Sequence, residues 1–179
     1  LPQPFLVLAT QNPIEMEGTY PLPEAQIDRF LFKLQVPFPD QLELVEIASR
    51  TTAGQDGEIR QVIKGPQELV RWLGVIRCVP VARPIMDYCA RIILATHPES
   101  GSALAKKYIR FGASPRGMQA LVLAAKTRAL LVGRTAVIKD DIVDVAQSCL
   151  QHRLILNFNA ESEGVGAATV VEHLFRQVK

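Results

Sequence analysis

The chain has 179 residues, of which 48% are hydrophobic and 21% are charged, and its formal net charge is +2. This balance is typical of a globular protein with its own core, and it excludes a disordered chain. The charge is too small to indicate nucleic acid or an anionic membrane as a partner, and no apolar run approaches the roughly 18 residues that span a bilayer.

Two short apolar runs, 5–8 and 31–36, have the length of strands. We predict them as strands of a covered parallel sheet, although their pattern also fits a buried helix. A proline-rich loop and a short helical piece that ends at Asp28 and Arg29 separate them. Asn12 closely follows the first run, at the strand end where ligands bind in open α/β sheets. Its amide could orient a water or contact a phosphate without adding a charge.

Helices are predicted from residue 40 onward. Asp40 and Glu43 have the spacing of a capping box, and Pro66 suits the first position of a second helix. We predict a linker over 52–65. Trp72 lies on the apolar side of the second helix, and we expect it to be a core anchor rather than a ligand platform.

The stretch 112–116 is the clearest candidate for a binding site. Ser114 is a natural N-cap and Pro115 a natural first helical residue, so Arg116 lies in the first helical turn. A cation there costs a few tenths to about 1 kcal/mol, because the helix N-terminus already carries partial positive charge. An anion would reverse the sign, and the free N–H groups with the arginine therefore predict a phosphate site. The alternative is an arginine paired with a surface carboxylate.

Further helices are predicted over 84–96, after 139 and at the end of the chain. Cys78, Cys89 and Cys149 have no metal-binding spacing, which favours free thiols in a reducing cytoplasm. The basic and aromatic stretch 106–111 could suggest nucleic acid, but a solvated face fits six residues of a near-neutral protein better. We therefore predict a cytoplasmic protein with no membrane span, no metal site in this chain and no nucleic-acid partner.

Two stretches resemble the MoxR-type AAA+ ATPases. Residues 9–30, which read Ala-Thr-Gln-Asn-Pro-Ile-Glu and, after Met16, Glu-Gly-Thr-Tyr-Pro-Leu-Pro-Glu-Ala-Gln-Ile-Asp-Arg-Phe, resemble the family's sensor-1 region and the segment after it. The Gly-Ala-Ser-Pro-Arg motif of 112–116 is similar to the family's sensor-2 motif, and 151–154 resembles its His-Arg-Leu run. The family usually has alanine after the sensor-2 arginine, where this chain has Gly117.

The resemblance implies roles for three residues. Asn12 would be the sensor-1 residue, and Arg29 the arginine finger that reaches a neighbouring subunit's nucleotide. Arg116 would be sensor 2, which contacts the phosphates bound to its own subunit. The implied fold is α/β: residues 1–39 would form the C-terminal part of the AAA+ nucleotide-binding core, and residues 40–179 an all-α helical lid domain.

The resemblance also implies ATP and Mg²⁺ as cofactors and a homo-oligomeric ring, with six subunits expected. The implied work is chaperone-like: assembly or activation of partner proteins, including von Willebrand factor A-domain proteins. The sequence contains no GxxxxGK[ST] phosphate loop and no apolar strand that ends in Asp-Glu. We therefore expect the ligands of Mg²⁺ to lie outside these residues, and these residues alone not to hydrolyse ATP. Two alternatives stay open: a non-catalytic adaptor or regulatory module, and a nucleic-acid remodelling AAA+ protein.

Overall fold

The structure is a computed structural model, and it describes residues 3–11, 22–53, 60–100 and 102–178. Within these ranges it has nine α-helices, a short 3-10 turn over Pro98–Ser100 and two strands. In chain order the helices and strands are α1 (Glu24–Ile27), α2 (Gln41–Thr52), α3 (Pro66–Cys78), α4 (Arg83–Ala95), α5 (Ala103–Tyr108), β1 (Ile109–Phe111), α6 (Pro115–Leu131), α7 (Lys139–Leu150), β2 (Ile155–Leu156), α8 (Phe158–Ser162) and α9 (Ala167–Gln177).

The predicted helix starts follow from local sequence. The amide of Glu43 donates to the Asp40 carboxylate at 2.9 Å, and the amide of Asp40 donates to the Glu43 carboxylate at 3.0 Å. This capping box satisfies two amides that have no partner inside the helix. Pro66 begins α3 as predicted, where its missing N–H costs nothing.

The hydrophobic core lies among α4, α6, α7 and α9. Helix α6 packs along α7 with a face of small side chains, which lets the two helix axes approach closely. The buried residues of α6 are Gly117, Ala120, Leu121, Ala124, Ala125 and Ala129. Helix α7 buries Ile142, Ala146, Cys149 and Leu150 against them, and α9 adds Val170, Val171 and Leu174. The predicted helical body after residue 78 is therefore present.

The loop between β1 and α6 is fixed against the end of α4. A Cβ atom on Gly112 would lie 2.6 Å from the Thr96 hydroxyl and 2.7 Å from its carbonyl oxygen, so only glycine fits there. The buried Thr96 hydroxyl donates to the Ile93 carbonyl at 2.6 Å and accepts from the Ala113 amide at 2.9 Å. Strand β1 pairs antiparallel with β2, with Ile109 opposite Leu156. These contacts set the direction from which the chain enters α6.

The two apolar runs predicted as strands are not strands in the described structure. Leu8 in the first run is 94% exposed and Val36 in the second is 91% exposed. A strand needs a neighbouring strand to accept its backbone hydrogen bonds. The two strands within the described ranges, β1 and β2, pair with each other, so neither apolar run has a described partner strand. That local prediction is wrong, and residues 31–33 instead contact α7 and the loop after it.

The prediction for Trp72 is also wrong, because its side chain is 51% exposed. Helix α2 likewise buries none of its residues, and Ile47 on its apolar face is 47% exposed. Within the described residues the apolar face of α2 is left exposed, whereas α3 contacts α6 without fully burying any of its residues. None of the described helices combines the length and the hydropathy that crossing a bilayer requires.

Candidate functional site

A single carboxylate, that of Asp28, joins the end of α1 to the later helices. It accepts from Arg153 Nε at 3.1 Å and from Arg116 Nη1 at 3.3 Å. The Ser114 hydroxyl lies 3.0 and 2.9 Å from its two oxygens and donates to them. The Asp28 side chain is only 17% exposed. Two guanidinium groups therefore share one carboxylate, and the cluster of these three charged groups carries an excess positive charge.

The two arginines at Asp28 differ in burial. The Arg153 side chain is 2% exposed, whereas that of Arg116 is 52% exposed. A buried charge must be paired and hydrogen-bonded, because its desolvation is costly. Burial lowers the pKa of Arg153, and the charge of Asp28 opposes that shift. Arg153 is thus a fixed partner of Asp28, while Arg116 is the partner that can turn to an external anion.

Arg153 also binds the backbone around Arg29. Its Nη2 donates to the Phe30 carbonyl at 2.7 Å and to the Asp28 carbonyl at 3.1 Å, and its Nη1 donates to the Leu31 carbonyl at 3.3 Å. Nη1 further contacts the Cys149 carbonyl within its own segment. No described strand donates hydrogen bonds to the backbone carbonyl oxygens on either side of Arg29. The Arg153 guanidinium group supplies these hydrogen bonds instead.

Neighbours of Arg153 extend this attachment. The Gln151 side-chain amide donates to the Lys33 carbonyl at 2.6 Å, and the Lys33 amide donates to the Ser148 carbonyl at 2.9 Å. His152 Nε2 lies 3.1 Å from the Phe30 carbonyl oxygen. The end of α7 and the turn after it thus hold residues 28–33. We call this set of contacts, made by Ser148, Gln151, His152 and Arg153, the α7 clamp.

The α7 clamp should weaken in acid. Burial lowers the pKa of His152, partly opposed by its hydrogen bond to Phe30, while the charges of Arg153 and Lys33 lower the pKa further and that of Asp28 raises it. Since the folded pKa lies below the unfolded value near 6.5, the unfolded state binds more protons in acid. We expect the stability contributed by His152 to be lost as the pH falls below about 6.5.

The measurement is urea unfolding at pH 7.5 and 5.5. His152→Gln, which keeps an N–H donor for Phe30, should show a smaller loss of stability between these pH values than the wild type. His173→Gln, at an exposed position of α9, controls for the substitution itself. Equal pH dependence of the wild type and His152→Gln would contradict the prediction.

Arg116 lies where the sequence predicts it. The Ser114 hydroxyl accepts from the Arg116 amide at 3.2 Å as the N-cap of α6, and Pro115 is the first residue of the helix. The Arg116 guanidinium is thus a cation in the first turn, with a single long contact to Asp28. The alternative of an arginine paired with a carboxylate is present, but the contact leaves half of the side chain exposed.

Gly117, the departure from the usual alanine, is buried at the contact of α6 with the α7 clamp. A Cβ atom there would lie 3.2 Å from Leu150 Cδ2 and 3.3 Å from Arg153 Cδ. These distances are tighter than ordinary van der Waals contact. The missing side chain therefore lets the first turn of α6 lie close to Arg153.

Arg29 has an exposed side chain, and no hydrogen bond or ion pair joins it to any described side chain. The neighbouring carboxylate of Asp28 points instead to Arg153, Arg116 and Ser114. Asp28, the residue before Arg29 in the chain, thus contacts Arg116, whereas the Arg29 side chain makes no described contact with this cluster. Asn12, the third predicted site residue, lies outside the described residues.

A cavity of about 210 Å³ lies between α1 and the entry to α6. Its walls are Glu24, Ala25, Ile27, Asp28, Gly112, Ser114, His152, Arg153 and Ile155. Sites that enclose a whole small molecule usually measure about 300–1,000 Å³. This cavity is too small to enclose a nucleotide, and Arg116 is not among its lining residues.

Comparison with known proteins gives two family matches. The protein-family model described as "AAA lid domain" matches residues 101–174. The model described as "ATPase family associated with various cellular activities (AAA)" matches residues 1–32. The second match contains Asn12, Asp28 and Arg29, and the first contains Ser114, Arg116 and the α7 clamp.

Whole-chain similarities agree with these matches. The chain is 39% identical to Chaperone MoxR1 of Mycobacterium tuberculosis, over 99% of this chain and 47% of that protein. It is 34% identical to Protein MoxR of Paracoccus denitrificans, over 84% of this chain and 48% of that protein. A crystal structure of a candidate ATPase from Cytophaga hutchinsonii superposes with a TM-score of 0.90 at 36% identity, over 100% of this chain and 55% of that one. The chain thus spans about half the length of the relatives it matches.

Proposed function

Because this chain belongs to the MoxR-type AAA+ ATPases and comprises the C-terminal portion of their α/β core with the helical lid, we propose that the whole protein binds and hydrolyses ATP. The observation that carries the proposal is the pairing of Arg116 and Arg153 on the single carboxylate of Asp28. The excess positive charge, at the N-terminus of the long helix α6, favours a phosphate group.

In this proposal Arg116 binds the phosphates held by its own subunit. It is the exposed member of the cluster, so it can leave Asp28 without exposing a buried charge. Arg29 acts on the nucleotide of a neighbouring subunit, since its side chain is exposed and makes no described ion pair. Asn12 is assigned to orient the attacking water, on the family resemblance alone.

Mg²⁺ would neutralise phosphate charge during hydrolysis. The part of the chain that the structure describes has no group of three His, Cys, Asp or Glu side chains suited to a metal ion. Mg²⁺ is usually held through one or two carboxylates, and the carboxylate of this site, Asp28, is already paired with Arg153 and Arg116. We therefore assign the Mg²⁺ ligands to other residues of the whole protein.

We further propose that the protein forms a homo-oligomeric ring, with six subunits expected, because the proposed action of Arg29 on a neighbour's nucleotide requires a neighbouring subunit. The proposed work is chaperone-like assembly or activation of partner proteins, including proteins with a von Willebrand factor A domain. One relative is named a chaperone, which supports the general role. A cytoplasmic location is supported by the free thiols of Cys78, Cys89 and Cys149.

The proposal is tested by Arg116→Ala in the full-length protein. We expect the Kd for a non-hydrolysable ATP analogue to rise about 10-fold to 100-fold, since a hydrogen bond to a charged group contributes about 1.5–3 kcal/mol. The free energy of unfolding without nucleotide should change by less than about 1 kcal/mol, because the Asp28 contact is half exposed. Isothermal titration and urea unfolding measure the two quantities.

Arg128→Ala is the matched control. Arg128 lies near the other end of α6, in an exposed pair with Asp144, so its loss should leave nucleotide affinity unchanged. If Arg116→Ala unfolds the protein while affinity per folded molecule is unchanged, Arg116 is a structural ion-pair residue. If the full-length wild type itself does not bind the analogue, the ATPase proposal is wrong and the alternative, a non-catalytic adaptor or regulatory module, replaces it.

A further inference from the structure

We propose that Arg153 is a positioning residue for Arg29: by binding the backbone on both sides of Arg29, it makes the end of α7 determine where Arg29 is presented to the neighbouring subunit. The inference rests on the proposed action of Arg29 in trans. It adds that a residue of the helical lid, far along the chain, controls that action.

The first support is the geometry of a single nitrogen. Arg153 Nη2 donates both to the Asp28 carbonyl and to the Phe30 carbonyl, at 3.1 and 2.7 Å. These two residues flank Arg29 directly. A displacement of the Arg153 guanidinium therefore displaces the peptide groups that carry the Arg29 side chain.

The second support is that, among the described contacts, the backbone around Arg29 is attached to distant parts of the chain through the α7 clamp. Helix α1 has four residues and buries none of them. The Arg29 amide donates to the Gln26 carbonyl at 3.1 Å, which is a contact within the same short turn. Of the described contacts that reach residues 28–33 from distant parts of the chain, those of the α7 clamp supply the backbone attachment.

The third support is the shared carboxylate. Asp28 is held by Arg153 and also contacts Arg116. When Arg116 turns to a phosphate, Asp28 keeps Arg153 as its remaining cation. Occupancy of a subunit's own nucleotide site thus changes the charge balance beside the segment that carries Arg29. The same cluster connects Arg116, which binds the nucleotide of its own subunit, with Arg29, which acts on the nucleotide of the neighbouring subunit.

The test is Arg153→Lys in the full-length protein. Lysine keeps the charge beside Asp28, but its single nitrogen cannot reproduce the fork that binds both flanking carbonyls. We expect kcat for ATP to fall about 10-fold to 100-fold, because a displacement of about 1 Å at a catalytic group costs up to that much. KM should stay within about twofold, since Arg116 is unchanged. The control is Arg134→Lys, which alters an arginine held by the buried Asp141 and remote from residues 28–33; its kcat should match the wild type.

A mixed ring separates positioning from a general structural role. Arg153→Lys subunits are combined with subunits that lack the phosphate-loop lysine of the full-length protein. At an interface where an Arg153→Lys subunit binds ATP and its neighbour supplies an undisturbed Arg29, activity should return, because the defect acts in trans. Absence of recovery, when Arg29→Ala subunits do recover in the same mixture, would overturn the proposal.

Each of the remaining outcomes also supports or overturns the proposed role of Arg153. A raised KM with unchanged kcat would place the effect of Arg153 on its own subunit's nucleotide and overturn the proposal. If Arg153→Lys does not fold, Gln151→Ala replaces it, since this variant removes only the contact to the Lys33 carbonyl; lowered kcat at constant KM then supports the proposal and unchanged kcat overturns it. If Arg29→Ala keeps full activity, the proposed role of Arg29 fails, and the inference fails with it. Normal activity of Arg153→Lys beside an inactive Arg29→Ala overturns the inference alone.

Discussion

Replacement of Arg29 by alanine in the full-length protein is expected to lower kcat for ATP hydrolysis by about 10³-fold to 10⁵-fold, the range measured for arginine fingers. The reason is that its guanidinium group would stabilise the charge that develops on the transferred phosphoryl group. The free energy of unfolding should change by less than about 1 kcal/mol, since the Arg29 side chain is exposed and has no described ion pair to lose. Steady-state ATPase assays and urea unfolding measure the two effects.

Two further variants sharpen this prediction. Arg29→Lys should recover little of the lost rate, because lysine lacks the planar fork of donors. Arg83→Ala, which removes an 86% exposed arginine from α4, should keep the wild-type rate. An Arg29→Ala protein that hydrolyses ATP at the wild-type rate would refute the assignment. If that protein fails to fold, Arg29 is structural.

Replacement of Asp28 by asparagine is expected to lower the free energy of unfolding by about 3 kcal/mol. Removal of one partner from a buried ion pair typically costs about 3–5 kcal/mol, because the other charge stays buried without compensation. Here that charge is Arg153, whose side chain is 2% exposed. We expect the lower end of the range, since carbonyl oxygens of Asp28, Phe30 and Leu31 still accept from its guanidinium group.

Asp144→Asn provides the comparison for the Asp28 variant. It breaks an aspartate–arginine pair in which the two side chains are 44% and 47% exposed, so it should cost less than about 1 kcal/mol. Urea unfolding of both variants gives the contrast directly. The double change Asp28→Leu with Arg153→Met should cost less than the sum of the single changes, because neither charge is then left alone. Equal losses for Asp28→Asn and Asp144→Asn would contradict the burial argument.

Contacts between sequence neighbours could be predicted from the sequence. The capping box of Asp40 and Glu43, the N-cap at Ser114 and the place of Arg116 in the first turn each depend on residues within four positions. The helices predicted over 84–96, after 139 and at the end of the chain are likewise present as α4, α7 and α9. The roles assigned to Asn12, Arg29 and Arg116 stay predictions, and the division of the chain at residue 39 does too.

The contacts of Asp28 with Arg153 could not be predicted in this way. Both residues lie in stretches that the family resemblance covers, but a pattern of residue types does not say which distant side chains meet. His152 and Arg153 follow a helix end, where cations are favourable without any partner. Because this explanation requires no partner, the sequence did not indicate that His152 and Arg153 hold residues 28–33. The apolar runs 5–8 and 31–36 and Trp72 show the same limit, because periodicity identifies an apolar face and not what covers it.

The separation of Asp28 from Arg153 has a consequence for the order of folding. Their side chains meet across 125 positions of the chain, whereas every fully buried residue within the described ranges lies at Val79 or later. Closing so long a loop has an entropic cost that the contacts at its ends must offset. The helices after residue 78 can therefore assemble first, and the segment that carries Arg29 docks onto them last. By the same reasoning it undocks first in local opening, so the amide hydrogen of Lys33 exchanges with solvent before those in the centres of α6 and α7.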